Sequence, residues 1–596
     1  MSDTHGHKTH HKLNELYATA ICGNDILSSC LYTAGIASIF AGVYAPLVLL
    51  LVGVSLWFFR HVYTEVVEAL PINGGAYNCL LNGTSKPIAA IAGVMTILSY
   101  VATACLSAKV GVEYFARAFE EHTGHFDTTL VAIVLLGGFA ALVIGGLKDS
   151  AKVALGIFLF HIFTLVLILV FGIEHWLVHG TSQFWANYEA TKSIVFTNKG
   201  LLWTLYLGFS ASLLGISGFE SSANFVEEQE PGVFRKTLRN MWLGVIIFNP
   251  LIALVALNTL SISAIKGASD FMLADVSFTL GGDLMSEWGP VIMRDIIAID
   301  ALLVLSGAVL TAYVGVGGLI QRMALDGCLP NILTKKNSKG SFPITVISFF
   351  LLCSSILLIT HGNMLSLAGV YTIAFLGVMT LFAFGNLILK RERSLLERTY
   401  SSPIKYVVIA LLAAGMGMVG NMVINQEYVY YFMIYFIPTI TVVFGMIFQD
   451  YLLEFIYRVS QKSGILKSRT KHMFDSIIRL KIVVFVHNRQ RLFEILKYIA
   501  RNEVGRRVVL IHCDSDTAYD KESGRLLSEA LPILKESGVY QHLDVSLETF
   551  EMKFGPEAVQ AAVKKFHVPT NRILVGSVHH FHEFSYEDLG GVRIIY

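Results

Sequence analysis

Apolar and polar residues follow one another along this chain in long blocks, not in the two-residue alternation of a strand or the one-sided stripe of a surface helix. Apolar stretches fall at 15–40, 44–67, 87–115, 128–147, 152–177, 202–226, 240–262, 289–320, 342–360, 364–390, 404–424 and 428–450. Each has about the 20 residues that a helix needs to cross a bilayer core. The pattern therefore predicts twelve membrane-spanning helices over residues 15–450, after a polar tail at 1–14. A linker follows at 451–470, and from Lys471 the apolar runs shorten to strand length. KIVVFV (481–486), RVVLIHC (507–513), LDVSLETF (543–550) and RILVGS (572–577) read as strands. The amphipathic segments RLFEILKYIARN, GRLLSEALPILKESG and EAVQAAVKKF between them read as helices. Such alternation predicts a parallel α/β domain over 471–596. The fold class is thus an all-α membrane protein with a C-terminal cytosolic α/β domain.

Composition supports this division and narrows the functions. Hydrophobic residues make up 54% of the chain and charged ones only 15%, where soluble proteins carry about a quarter. With a net charge of +1 there is no basic field to draw nucleic acid, which is not expected as a partner. Lys86, Arg235, Lys236, Arg239, Arg322, Lys335, Lys336, Lys390 and Arg391 crowd the loops on one side, whereas the other side has little beyond Lys192, Lys199 and Lys266. That bias puts both termini in the cytoplasm of a cell-membrane protein. The N-terminus shows no cleavable signal pattern, so the first apolar stretch reads as an uncleaved span. The seven cysteines are scattered without CxxC or CxxH spacing, which indicates neither a disulfide framework nor a zinc site. His5, His7, His10 and His11 read as a disordered polar end. Without a Walker loop, nucleophile elbow or metal-ligand pattern, the chain is expected to be neither an enzyme nor a self-powered pump, and to need no cofactor. Twelve spans also exceed what a receptor needs as an anchor.

Two of the apolar stretches carry chemistry. In GNDILSSCLYTAG (23–35) a glycine, Gly23, precedes Asn24 and Asp25; in GISGFESSANFVEEQ (215–229), Gly215 and Gly218 precede Glu220. An acid at the centre of a spanning helix costs about 2.5 to 3.5 kcal/mol even on mild insertion scales. Matched glycine interruptions in two halves of a membrane chain point to a transporter site between inverted repeats, here spans 1–5 and 6–10. The plainer alternative is that each glycine lets a neighbouring helix approach. Unwound backbone at this depth is tolerated only beside protein or a wet cavity, so the two breaks predict a buried polar site.

These residues bring in a resemblance. Asp25-Ile26-x-Ser28-Ser29-x-Leu31-Tyr32 is similar to the D-I-G-T-S-P-L-Y run of KUP-type potassium transporters and to the first span of KimA-like potassium importers. Pro71-x-x-Gly74-Gly75-x-Tyr77, and Gly218-Phe219-Glu220-Ser221 followed by Glu227-Glu228 and Pro231, resemble signatures of the wider amino acid, polyamine and organocation superfamily. The resemblance implies a LeuT-like five-plus-five inverted repeat. In KimA-like proteins it also implies an ion site that falls here on Asp25, Tyr32, Tyr100, Thr103, Ser217 and Glu220. There are departures: Ser99 stands where the family has a span-3 acid, Ser217 where it has threonine, and Tyr371 lies several positions from the expected tyrosine. The resemblance further implies that the cytosolic domain dimerises and binds a cyclic dinucleotide, cyclic di-AMP, as an inhibitor.

The expected function is therefore proton-coupled import of potassium. A large monovalent cation needs several oxygens at once, which hydroxyls, tyrosyl oxygens and freed carbonyls can supply without many formal charges. Asp25 would attract the ion, and Glu220 would carry the proton. The alternative is a proton- or sodium-coupled permease for an amino acid or amine. Such a protein would grip a substrate carboxylate with helix-end amides, usually in a glycine-rich span 1. Here no glycine follows Gly23 until Gly35, and Asp25 would repel a carboxylate while suiting an ammonium group.

Other polar residues receive more modest readings. Ser306 and Thr311 resemble positions where some relatives hold sodium, although hydroxyls often bond the carbonyl one turn back. Asp295 and Asp300 are expected toward the outer end of span 8, paired with Arg294. Arg60, His61, Glu65 and Glu68 of span 2 offer an internal charge cluster, but span 2 reads as a scaffold helix, and pairing and packing are the expected roles. In the tail, Gly576-Ser577 and Gly590-Gly591 faintly resemble the phosphate loop of universal stress proteins, and His579, His580 and His582 read as solvated.

Overall fold

A computed structural model describes residues 12–123, 126–146, 151–284, 288–394, 396–449, 481–503, 507–515, 517–536, 543–576, 589 and 592–595. The histidines of the N-terminal tail, the linker at 451–470, His579, His580 and His582, Ser577 and the Gly590-Gly591 pair lie outside the described residues. The chain divides into two compact units: Met1–Leu80 with Ile91–Ile320 and Ile332–Thr439, and Leu81–Ala90 with Gln321–Asn331 and Ile440–Tyr596.

The first unit is helical. Its helices are α1 (Glu15–Leu27), α2 (Cys30–Ala41), α3 (Ala45–Ala69), α4 (Gly75–Gly83), α5 (Lys86–Thr123), α6 (Thr128–Ile144), α7 (Ala151–His179), α8 (Ser182–Thr197) and α9 (Leu201–Ser212). After these come α10 (Phe234–Thr259), α11 (Ile262–Gly267), α12 (Met272–Leu284), α13 (Gly289–Leu325), α14 (Pro343–Ile359), α15 (Met364–Glu392), α16 (Ile404–Ile424) and α17 (Gln426–Ile447). Among the described residues, nine helical stretches are long and apolar enough to cross a membrane, the first of them holding α1 to α3. Two shorter apolar helices, α6 and α14, accompany them. Helices α8, α11 and α12 were not expected from the pattern, because their mixed polarity carries no long apolar block.

The faces of α7 show why these helices suit lipid. Leu159, Phe163, Val166, Val170, Ile173 and Leu177 recur at three- and four-residue steps and are exposed, while His161, Thr164, Leu165, Ile168 and Gly172 on the other side are buried. A water-soluble helix has the reverse arrangement. The small residue lets α7 approach α10 closely, since a Cβ on Gly172 would lie 2.5 Å from Val255.

Two helical segments are interrupted. Between α1 and α2 the regular pattern lapses at Ser28 and Ser29. After α9 the chain tightens into two 3-10 turns, Leu213–Ile216 and Glu220–Asn224. Between these turns Ser217 is extended and Gly218 takes a φ of +88°, a conformation that favours glycine.

The second unit contains a five-stranded parallel sheet in the order β3-β2-β1-β4-β5. The strands are β1 (Lys481–Phe485), β2 (Arg507–Cys513), β3 (Asp544–Phe550), β4 (Ile573–Val575) and β5 (Arg593–Ile594). Helices α18 (Leu492–Asn502), α19 (Ala518–Glu536) and α20 (Pro556–Phe566) connect the first four strands. The four expected strands are present; β5 was too short for the pattern to show. Val483, Phe485, Ile511, Phe550, Val559 and Phe566 form the core between sheet and helix. In the same unit Arg593 is buried against two carboxylates, 2.8 Å from Asp326 and hydrogen-bonded to Glu503, and Lys86 reaches Glu503 at 2.8 Å.

Candidate functional site: acids and hydroxyls at two helix breaks

The first break is tight rather than unwound. The amides of Ser29, Leu31 and Tyr32 bond the carbonyls three residues back, and the Ser28 and Ser29 hydroxyls donate to the Asp25 carbonyl at 2.8 Å and the Ile26 carbonyl at 2.6 Å. Hydroxyls competing for carbonyls in this way loosen a helix. The break accordingly lies at Ser28–Ser29, and the expectation that Gly23-Asn24-Asp25 interrupts the span is corrected, since α1 runs through all three. Gly23 instead packs closely: a Cβ there would lie 2.5 Å from the Phe158 ring.

The second break is satisfied from three sides. The Gly215 carbonyl accepts from the Ser29 hydroxyl and from the Asn249 side chain, both at 3.1 Å. The Gly218 amide donates to Glu220 Oε2 at 3.0 Å, and the Gly218 carbonyl accepts from the Ser221 hydroxyl at 2.7 Å. Every one of these backbone groups would otherwise be an unpaired dipole in an apolar surround. Asn249 precedes Pro250 within α10. Neither residue was singled out from sequence.

The side chains assembled here include most of the expected set. Asp25 accepts a hydrogen bond from Ser221, and a Cβ on Gly218 would meet the Asp25 carboxyl carbon at 2.8 Å. Tyr32 and Ser217 face each other with their hydroxyl oxygens 3.4 Å apart. Ser99 donates to Glu220 Oε1 at 2.9 Å, so the residue that stands in place of the family's acid holds the other acid of the site. Tyr100 accepts from Asn224 at 2.6 Å, and its ring lies against Gly315 of α13. Thr103 donates to the Ser99 carbonyl one turn back at 2.9 Å. Tyr371 is also buried, close enough to Glu220, Asp25, Tyr32 and Thr103 to interact with them electrostatically. Asp25, Tyr32, Tyr100, Thr103, Ser217 and Glu220 are all buried. Among the described residues neither Asp25 nor Glu220 pairs with a basic side chain; hydroxyls and one amide are their partners.

The remaining expectations divide. Arg294 does pair with Asp295, at 3.2 Å. Asp300 does not join them: it is fully buried, 2.8 Å from His161 Nδ1 of α7, which corrects the outer-end placement. Thr311 is buried, and among the described residues neither it nor Ser306 joins the hydrogen-bonded cluster of the site. The charges of span 2 do not cluster with one another. Glu65 pairs with Lys390 at 2.7 Å and Arg398 at 3.3 Å, Glu68 bonds Thr399, His61 bonds Tyr400 at 2.6 Å, and Arg60 lies over the Trp57 ring.

A concavity lies in the second unit at the carboxyl ends of β1, β2 and β4, lined by His487, Cys513, Ser515, Asp520 and Lys553 among apolar residues. Strand order reverses there between β1 and β4, the usual place for a ligand on an open parallel sheet.

A bundle of long apolar helices, two of them broken around buried acids, defines a multi-pass membrane transporter of small substrates. The chain belongs to the amino acid permease family, whose model matches residues 13–444. It is 22% identical over 365 residues to the uncharacterized transporter Rv1979c of Mycobacterium tuberculosis, covering 58% of this chain and 72% of that one. It is 27% identical over 247 residues to the potassium transporter KimA of Bacillus subtilis, covering 40% of this chain and 39% of that one. A crystal structure of a manganese transporter from Eremococcus coleocola aligns with 72% of this chain and 93% of its own, at 11% identity and a TM-score of 0.45. The permease family and the two sequence relatives named here are transporters, and the chain is accordingly a transporter rather than an enzyme.

Proposed function

We propose that this protein imports a small monovalent cation, potassium, together with protons. One observation carries the reading: Asp25 and Glu220 are buried beside the two helix breaks with no basic partner among the described residues, amid hydroxyl and tyrosyl oxygens. Two acids so placed favour a cation, because an unpaired charge in the membrane interior is otherwise costly. In this reading Asp25 attracts the ion, Tyr32, Tyr100, Thr103 and Ser217 coordinate it, and Glu220 carries a proton. Tyr371 joins them as a further oxygen. The likeness to the potassium transporter KimA supports the same reading.

The family model's description favours a second reading, an amino acid or amine substrate. Against a substrate carboxylate stands the Gly218 amide, which is already taken by the chain's own Glu220 at 3.0 Å. An amine facing Asp25 is the form of this alternative that the geometry supports.

The rest of the reading follows from the same architecture. Residues 15–450 form a twelve-span transporter of two inverted five-helix repeats, with both termini cytoplasmic, and residues 471–596 form a regulatory domain. The concavity at the ends of β1, β2 and β4 is where a cyclic dinucleotide would bind that domain, which would also dimerise. Purified protein in proteoliposomes tests the central claim. Radioactive rubidium, a potassium tracer, should accumulate in response to an imposed proton gradient, and Asp25→Asn should abolish that accumulation. Labelled amino acids or amines accumulating where rubidium does not would establish the second reading.

A further inference from the structure

Outside the two breaks, the described residues of the membrane unit include a fully buried imidazole–carboxyl pair on α7 and α13. His161 lies ten residues into α7 and Asp300 eleven residues into α13, on the order of 15 Å from either helix start at 1.5 Å per residue. Both are 0% exposed. Nδ1 of His161 is 2.8 Å from Asp300 Oδ2, and Nε2 is 3.1 Å from the Leu27 carbonyl. Thr164 donates to the same Asp300 oxygen at 2.6 Å, and Asp300 Oδ1 has no partner among the described residues. Two more titratable groups lie within electrostatic range of Asp300: Cys30 of α2 and Tyr114 of α5, whose hydroxyl bonds the Leu31 carbonyl at 2.7 Å.

The proton count follows from the partners. A neutral imidazole has one donor and one acceptor nitrogen, yet this ring faces an oxygen acceptor from each nitrogen. Both contacts are satisfied when the ring carries two protons against a carboxylate, or when Asp300 is protonated and donates to Nδ1 while Nε2–H donates to Leu27. In either arrangement the pair holds one proton more than a neutral ring beside a carboxylate. When that proton leaves, the remaining ring proton stays on Nδ1, where the carboxylate is the stronger acceptor. Nε2 is then left with its lone pair toward the Leu27 carbonyl, and that bond is lost. Leu27 is the last residue of α1, immediately before the Ser28–Ser29 break and two residues after Asp25.

We propose that His161 and Asp300 form a proton-binding site whose occupancy sets the geometry of the first helix break through the Leu27 carbonyl. The pair is thereby a coupling site, separate from the cation-coordinating groups. This rests on the reading of the protein as a proton-coupled cation importer, and it adds to that reading the groups that link proton to helix.

The test compares two transport modes in proteoliposomes. Rubidium counterflow at equal pH on both sides needs only binding and helix movement, whereas accumulation driven by a proton gradient needs coupling. His161→Gln and Asp300→Asn should each retain counterflow within about twofold and lose gradient-driven accumulation by about tenfold or more. Equal loss of both modes would assign the pair to packing alone, and unaltered accumulation would also overturn the proposal. A second measurement does not depend on the substrate. In protein carrying isotope-labelled histidine, the ring nitrogen resonances of His161 should report the extra proton at neutral pH and lose it in Asp300→Asn. A ring that stays neutral with its Nε2 unprotonated overturns the proposal. Wild-type protein that moves no rubidium overturns only the cation reading, while the resonances still decide the pair.

Discussion

Gly218 and Asp25 are in contact: a Cβ at residue 218 would sit 2.8 Å from the Asp25 carboxyl carbon and 3.0 Å from the Asp25 carbonyl carbon. The two broken helices therefore meet through the one residue type that leaves room. At a φ of +88° a side chain would also strain the backbone, by about 1 to 3 kcal/mol. Gly218→Ala should lower the thermal midpoint of the purified protein and abolish rubidium uptake. Normal uptake by a normally folded Gly218→Ala protein would show that the breaks need not touch.

Tyr32 separates binding from folding. Its hydroxyl is 3.4 Å from that of Ser217, a long contact worth well under about 1 kcal/mol to stability. If the oxygen instead serves the ion, Tyr32→Phe should raise the KM for rubidium by about tenfold, equivalent to about 1.4 kcal/mol of lost binding. The thermal midpoint should hardly move.

Asn249 is expected to act in the opposite sense. Its amide supplies one of the two donors to the Gly215 carbonyl, and removing it leaves a buried backbone oxygen with Ser29 alone. Asn249→Ala should cost on the order of 1 kcal/mol, seen as a lower thermal midpoint in detergent. Asn249→Leu keeps a similar side-chain volume without a donor and should not restore it.

The ion network of the second unit makes its stability depend on acid. Burial alone would push the Glu503 carboxyl up, but Arg593 and Lys86 hold it down to about 2. An unfolded glutamate titrates near about 4.3, so between these values the unfolded chain binds the extra proton. The contribution of Glu503 is thus complete above about pH 4.3 and is lost as pH falls toward about 2, a change on the order of 3 kcal/mol. Amide protection of β1 to β5, taken relative to the intrinsic exchange rate at each pH, should fall across that window in the wild type. In Glu503→Gln the exchange should be faster throughout, since Arg593 keeps only Asp326, and the acid dependence should flatten.

Much of the helical architecture was legible because apolar blocks of spanning length have few other uses, and the strands of the second unit because short apolar runs alternate with amphipathic segments. Asp25 and Glu220 stood out as acids in such blocks. The position of the first break did not. Gly23 drew attention as a helix-weakening residue, but it serves close packing against Phe158, while the interruption comes from two serines that take carbonyls from the helix. His161 and Asp300 are 139 residues apart in sequence, and nothing local to either announces the other. Tyr371 looked out of register because the rotation of α15 that brings it to the site depends on packing, which a linear motif does not carry.

The buried charges around Arg593 also bear on the order in which the protein can be completed. Lys86, Asp326 and Glu503 leave the ribosome in that sequence, and Arg593 follows ninety residues after the last of them. Before it arrives, Arg322 lies beside Asp326 at 3.6 Å and Lys86 beside Glu503 at 2.8 Å. The buried carboxylates on the segment out of α13 and at the end of α18 therefore gain the Arg593 charge only once β5 has been made.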